Sequence, residues 1–343
     1  MSELRAALYY MGSKARLVQT FRTIFHESWP DAKEMVFVDA FAGTGVVTLY
    51  AGSLFGRCIV NDQERYSTLV LKAQFARPAH LEPWPAQPAS IAGFITDHYC
   101  PRKKDSFSRH DRLFWSRENG MLLDGFRNWA IATLQGAELE YAMGCMLIAA
   151  DRCSNTTGGY WAFLRHFRGS QGRRKVAIQQ LPASGLDVDV RSEDATALCL
   201  GAPKNAILYL DPPYGRRQYG NNYFVLNMIG SVSDALIEND RGRPGGTTGM
   251  PIDRNFNKSV WCTRDALAEL RTILKGTPAS RMALSYSNDP KNVMSIEDIQ
   301  SSFKDCGWAC ETYELDHTRY ASQNPSALGS ALTELLFVAN RTI

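Results

Sequence analysis

Several features are missing from these 343 residues, and each absence excludes a class of protein. No apolar run approaches the roughly 20 residues a membrane span needs; even residues 143–150, MGCMLIAA, stop far short. The opening MSELRAALYYMGSKARL has no unbroken apolar core, so a secretory signal is not expected and the chain is placed in the cytoplasm. The eight cysteines form no C-x-x-C pair and stand at no zinc spacing with histidine, which argues for reduced, structural thiols and no metal. Neither sign of charge dominates: 38 basic against 35 acidic side chains leave +3, too little to imply a nucleic-acid partner without local clustering. No repeat of fixed period and no low-complexity tract is present. What remains, 45% hydrophobic and 21% charged, is the composition of a globular protein, and the length suits one large α/β domain with an insertion.

The α/β alternation is explicit near the start. MVFVDAFAGTG reads as a short buried strand running into a glycine turn, VVTLYAGSLFG as the helix after it, RCIVNDQE as a second strand ending in acids, and RYSTLVLKAQF as its helix. AILYLDPPY, RMALSYSN and ALTELLFVAN read as later strands. Strands alternating with helices predict a parallel, doubly wound, Rossmann-like sheet covered on both faces, formed by residues 1–75 and 181–343. Between them, residues 76–180 open with Pro-rich RPAHLEPWPAQPAS and continue into helical patterns over 122–134 and 138–152, which predicts an inserted, mainly helical lobe. The Gly-, Pro- and Arg-rich stretch 238–259 predicts an exposed loop, of the kind that also clamps ligands beside a site.

The turn DAFAGTG lets backbone approach a ligand at the carboxyl end of the sheet, yet it matches neither G-x-G-x-x-G nor a phosphate-binding loop. Asp39 ahead of the glycines is poor company for a pyrophosphate and good company for an α-ammonium. Asp62, at the tip of the next strand, stands where an acid receives ribose hydroxyls. An amino-acid end plus a nucleoside points to S-adenosylmethionine, with Asp194 reaching the adenine amino group. As single residues, all three acids read equally well as helix caps.

In LYLDPPYGRRQY a strand delivers Asp211 to its carboxyl end, and Pro212 and Pro213 fix the backbone there without offering N–H donors. A carboxylate and a proline-flanked carbonyl can together accept both hydrogens of an exocyclic amino group. Held toward tetrahedral geometry, such a nitrogen regains the lone pair it shares with its ring, and Tyr214 offers a face for stacking the base. Alone, DPPY reads just as well as a proline-terminated strand with a core tyrosine. The run RHFRGSQGRRK, five basic residues without an acid, is either a solvated loop or a phosphate-binding stretch.

Together, ALYYMGSK, FVDAFAGTG, IVNDQE, RCSNTTGGYWAFLR, LYLDPPYGRRQY, LSYSN and HTRYASQNPSALGSALTELLFVAN resemble, in order and spacing, the motifs of the D12 class of DNA adenine N6-methyltransferases, the Dam-like group, over residues 9–340. The resemblance implies methyl transfer from S-adenosylmethionine to adenine N6 by base flipping, with Asp211, Pro212, Pro213 and Tyr214 as the catalytic tetrad. It implies cofactor contacts from Tyr10, Lys14, Asp39, Phe41, Gly43, Asp62, Asp194 and Asp211, and target recognition by the inserted lobe. Double-stranded DNA is the expected partner, with a restriction endonuclease as companion. Arg152, Arg165, Arg168, Arg173, Arg174, Lys175, Arg216 and Arg217 become candidate DNA contacts; Asn155, with Thr156, Tyr160 and Trp161, either reads bases or shapes a turn. Another planar amine, cytosine N4 or an RNA adenine, and a non-catalytic DNA-binding subunit are the alternative readings.

Overall fold

The computed structural model describes Leu8 and residues 14–86, 88–103, 107–108, 111–167, 174–232, 258–316 and 333–342. Tyr10, Arg168, Arg173 and most of the loop 238–259 lie outside the described residues. In chain order the helices are α1 (Val18–Ser28), α2 (Val46–Ala51), α3 (Arg65–Phe75), α4 (Phe94–Tyr99), α5 (Arg117–Thr133), α6 (Gly136–Arg152), α7 (Ala195–Leu200), α8 (Tyr219–Asn222), α9 (Phe224–Gly230), α10 (Ala266–Gly276) and α11 (Ile296–Asp305). The strands are β1 (Val36–Asp39), β2 (Arg57–Asn61), β3 (Val188–Arg191), β4 (Ala206–Leu210), β5 (Arg281–Ser287), β6 (Trp308–Asp316) and β7 (Thr333–Arg341). They form one sheet in the order β3-β2-β1-β4-β5-β7-β6.

Alternation along each central strand fills two cores. Phe37, Ile207, Tyr209, Ala283, Leu336 and Val338 face Phe21 and Phe25 of α1 and Val46 and Val47 of α2. Val38, Leu208, Leu210, Met282, Leu284 and Phe337 face α7, α10 and α11. Central strands of this kind are apolar on both sides because helices cover both. Helix α3 lays Leu71 and Phe75 on Val60 of β2. Its opposite side, with Tyr66, Leu69, Val70 and Ala73, joins a third core shared with α4, α5, α6 and α9. The contact with α6 is close: a Cβ on Gly144 would lie 2.0 Å from the carbonyl oxygen of Leu69. Helices α4, α5 and α6 thus share one core with α3 and α9. No helix among the described residues is long and apolar enough to cross a membrane.

The sheet departs from the all-parallel expectation at one edge. Strands β1 to β5 run parallel, whereas β7 is antiparallel to both β5 and β6. The crossover β5-α11-β6 returns the chain one strand position beyond β5. Strand β7 then turns back into the vacant slot, pairing Ser287 with Glu334 on one side and Leu315 with Glu334 on the other. This reversal puts the start of β7 at the carboxyl end of the parallel strands.

Candidate active site

The strand order reverses between β1 and β4, and chains leaving two such strands toward opposite sides open a crevice beyond their carboxyl ends. A cleft of about 310 Å³ occupies that place. Lys14, Asp39, Phe41, Gly43, Asp62 and Asp194 line it together with Asp211, Pro212, Pro213 and Tyr214, so all the described residues expected to bind the cofactor or act in catalysis converge on one cavity.

The wall near β1 is built from the glycine turn. Gly43 and Gly45 adopt left-handed φ of 53° and 70°, and a Cβ on Gly45 would meet Phe75 at 2.6 Å. The turn is fastened to β2: the Gly43 N–H donates to Asp62 Oδ2 (2.9 Å), while the Glu64 N–H donates to Asp62 Oδ1 (2.8 Å). Burial is the main reason the Asp62 carboxyl is raised above its ordinary range. Buried Asn61 ties three strand ends together, donating to the carbonyls of Ala40 and Glu193 and accepting from the Glu193 N–H. Asp39, 1% exposed, accepts from Thr48 through Oδ2 (2.8 Å) and has no hydrogen-bond partner at Oδ1 among the described residues. Burial pushes its carboxyl up to about 7, with Asp211 and Asp62 adding to the rise and Thr48 opposing it. Asp194 caps α7, accepting from the Ala197 N–H (2.9 Å) while lining the cleft.

The opposite wall is the Asp211–Tyr214 turn after β4. Its Tyr214 carbonyl accepts from the Val293 N–H (2.9 Å) and the Tyr286 hydroxyl (3.3 Å), which fix the turn to the segment following β5. Asp211 Oδ1 takes both Lys14 Nζ (3.0 Å) and the Tyr214 hydroxyl (2.8 Å); Oδ2 has no protein partner among the described residues. Lys14 Nζ also reaches Glu334 Oε1 (3.4 Å) and stands 4.8 Å from the Tyr214 ring centroid. Glu334 Oε1 further accepts from the hydroxyls of Tyr214 and Ser285. Burial alone would depress the Lys14 ammonium, but Asp211 and Glu334 outweigh it and raise the pKa. Burial raises the Asp211 carboxyl; Lys14 opposes this and Glu334 adds to it.

The basic residues divide into two groups. Arg216 and Arg217 are exposed and line the cleft. Arg152, Arg165, Arg174 and Lys175 are exposed away from its lining. Asn155 is buried, and its amide donates to the carbonyls of Leu113 (3.0 Å) and Leu164 (2.9 Å). Tyr160, also buried, donates to Asp151 (2.9 Å) and stacks on Phe114. Both side chains thus shape the segment after α6, the structural alternative to base reading. The sequence reading passed over Asn61, Ser285, Glu334, Asn222 and Trp261. Their signals were weak: Asn61 and Ser285 are polar residues of apolar strands, Glu334 is a single acid inside an apolar run, and Asn222 and Trp261 lie outside any strand.

The family model for D12 class N6 adenine-specific DNA methyltransferases matches residues 10–240. The chain is 31% identical to the type II methyltransferase M.CviAII of Paramecium bursaria Chlorella virus 1, over 96% of this chain and 97% of the relative. It is 28% identical to the type II methyltransferase M.NlaIII of Neisseria lactamica, covering 97% and 99%. Identity to the type II methyltransferase M.FokI of Planomicrobium okeanokoites is 25%, where the chain spans 53% of the relative.

Proposed function

Because the chain belongs to the D12 class of N6 adenine-specific DNA methyltransferases, we propose that it modifies adenine at a specific DNA site within the β1–β4 cleft, with S-adenosylmethionine as donor. One observation carries this reading: Asp211 is anchored through a single oxygen, beside two prolines that offer no N–H, at the wall of a cleft with unsatisfied polar groups. Four residues lining that cavity hold a buried polar atom without a hydrogen-bond partner among the described residues: Asp39 Oδ1, Tyr209 Oη, Asn222 Nδ2 and Trp261 Nε1. An acceptor, two donors and a hydroxyl in a buried wall imply a ligand with complementary groups, since such atoms are costly to leave unpaired. S-adenosylmethionine fits: its α-ammonium suits Asp39, its ribose suits Asp62, and its adenine has ring nitrogens for a donor such as Trp261 Nε1. Its chemical contribution is an electrophilic methyl group.

The chain's own work is to present the amine. Asp211 Oδ2 and the Pro212 carbonyl accept the two N6 hydrogens of an adenine turned out of the duplex, and Asp211 is placed to take the excess proton after transfer. A covalent route has little support: Cys262, whose thiol donates to the Arg217 carbonyl, is pushed up to about 12 by burial and is not a thiolate at neutral pH. Arg216 and Arg217 at the cleft, with Arg152, Arg165, Arg174 and Lys175 on the helical segment 76–180, supply phosphate contacts, and that segment carries target recognition. The type II names of the relatives extend the proposal to a companion restriction endonuclease. The direct test incubates the protein with methylation-free genomic DNA and methyl-labelled S-adenosylmethionine, then digests the DNA to nucleosides for mass analysis. Labelled N6-methyldeoxyadenosine is expected; label only in N4-methyldeoxycytidine would overturn the reading.

The Asp39 carboxyl also predicts a pH dependence. Near 7 in the protein, it is mostly neutral at pH 5.5 and mostly ionised at pH 7.5, and only the anion attracts an α-ammonium. Calorimetric affinity for S-adenosylmethionine is expected to rise about twentyfold from about pH 5.5 to 7.5, with proton release on the acid side. Asp39→Asn should bind more weakly and with a flat profile; a variant that keeps the wild-type slope would remove Asp39 from this role.

A further inference from the structure

The family reading assigns no role to one carboxylate beside the cleft, which stands on β7 within the closing ALTELLFVAN motif. Glu334 is 3% exposed. It reaches the site only because β7 runs antiparallel, which sets the first turn of that strand beside the carboxyl ends of β4 and β5. Its neighbours on the same face, Leu336 and Val338, are ordinary core residues. Glu334 Oε1 meets Lys14 Nζ at 3.4 Å and accepts hydrogen bonds from Tyr214 and Ser285, while Lys14 and Tyr214 are the two groups that hold Asp211 Oδ1. Every protein contact to Asp211's side chain described above therefore passes through a residue that Glu334 also holds.

We propose that Glu334 is a positioning residue for methyl transfer: by fixing Lys14 and Tyr214 together it locks one oxygen of Asp211 and keeps the other turned to the target amino group. The proposal rests on the reading of this cleft as the methyl-transfer site. Tyr214 has one hydroxyl hydrogen and two carboxylate acceptors, so Glu334 limits how strongly that hydrogen is drawn to Asp211. Lys14 neutralises one of the two carboxylates, and the pair with Glu334 stops the ammonium from moving wholly onto Asp211. Without Glu334 both groups relax toward Asp211, and the acceptor needed by the amine rotates or is masked.

The test compares wild type, Glu334→Gln and Ser285→Ala in single-turnover methylation of methylation-free genomic DNA across pH, with calorimetric cofactor binding and melting temperature alongside. Glu334→Gln is expected to slow transfer about 10- to 100-fold while cofactor affinity stays within about threefold, because orientation and not binding is lost. Its acid limb should move to lower pH, since the carboxylate that helps raise Asp211 is gone. In the cofactor-free protein labelled at tyrosine Cζ, the Tyr214 resonance, assigned with Tyr214→Phe, should shift in Glu334→Gln. Wild-type rate and acid limb in a folded Glu334→Gln would overturn the proposal. If that variant does not fold, Ser285→Ala, which removes one anchor of Glu334, decides: slower transfer at unchanged cofactor affinity supports the proposal, and a wild-type rate overturns it. Absence of N6-methyladenine with the wild type would instead strike the reading of the cleft itself.

Discussion

In a host whose DNA carries no adenine methylation, the wild-type chain is expected to mark one sequence motif with N6-methyladenine, and Asp211→Ala to leave that motif bare. Single-molecule sequencing reads both outcomes and returns the motif. The expected loss in rate is about a hundred- to thousandfold, comparable to removing one preorganised group from a transition-state site. The geometry explains why alanine is so damaging. It removes the proposed acceptor for the amine and also takes from Lys14 its carboxylate partner at 3.0 Å. Asp211→Asn separates the two effects: it keeps a carbonyl acceptor but loses the charge, and should retain more activity than alanine. Equal methylation by Asp211→Ala and wild type would move catalysis away from the turn after β4.

Lys14→Met should destabilise the fold more than other single changes in the cleft. The ammonium is 3% exposed between two carboxylates, and removing one partner of a buried ion pair costs about 3–5 kcal/mol. For a chain of this size the melting temperature should fall roughly 10 °C. The pH dependence has a definite sign. The Lys14 pKa is raised in the folded protein, so its contribution is fully present at neutral pH and is lost only as pH rises above the ordinary lysine range of about 10.4. In the variant, Asp211 loses the cation that opposed its rise, and the folded state holds a proton that the unfolded chain releases. The deficit should therefore grow from mildly acid to mildly alkaline pH. Identical melting of variant and wild type at both ends would show that the cluster does not hold this region together.

The sequence made the first half of the sheet legible because β1, β2 and β4 are apolar runs that end in acids at a turn. Asp39, Asp62 and Asp211 could be placed at one sheet edge from that grammar alone. Strand β6 was not legible: WACETYELD alternates small, polar and aromatic residues, and Ala309, Glu311, Thr312 and Glu314 are exposed. Strand β3 is four half-buried residues at the other edge. Glu334 was hidden for a different reason. Inside TELLFVAN it looks like a polar interruption, and its place depends on strand direction, which a local pattern does not encode. Asn155 shows the opposite case, since a polar residue among Thr and Gly reads as well for a base contact as for a turn, and its amide brackets two carbonyls.

The slot filled by β7 also bears on how the protein comes into being. On the ribosome, Lys14 and Asp211 emerge long before Glu334, and until β7 arrives the apolar edge of β5, with Met282, Ala283 and Leu284, has no partner on that side. A nascent chain at that stage has an open, sticky sheet margin and an unbraced turn after β4. Closing the margin and bracing the turn are one event, so a product truncated ahead of residue 333 forfeits solubility and chemistry together.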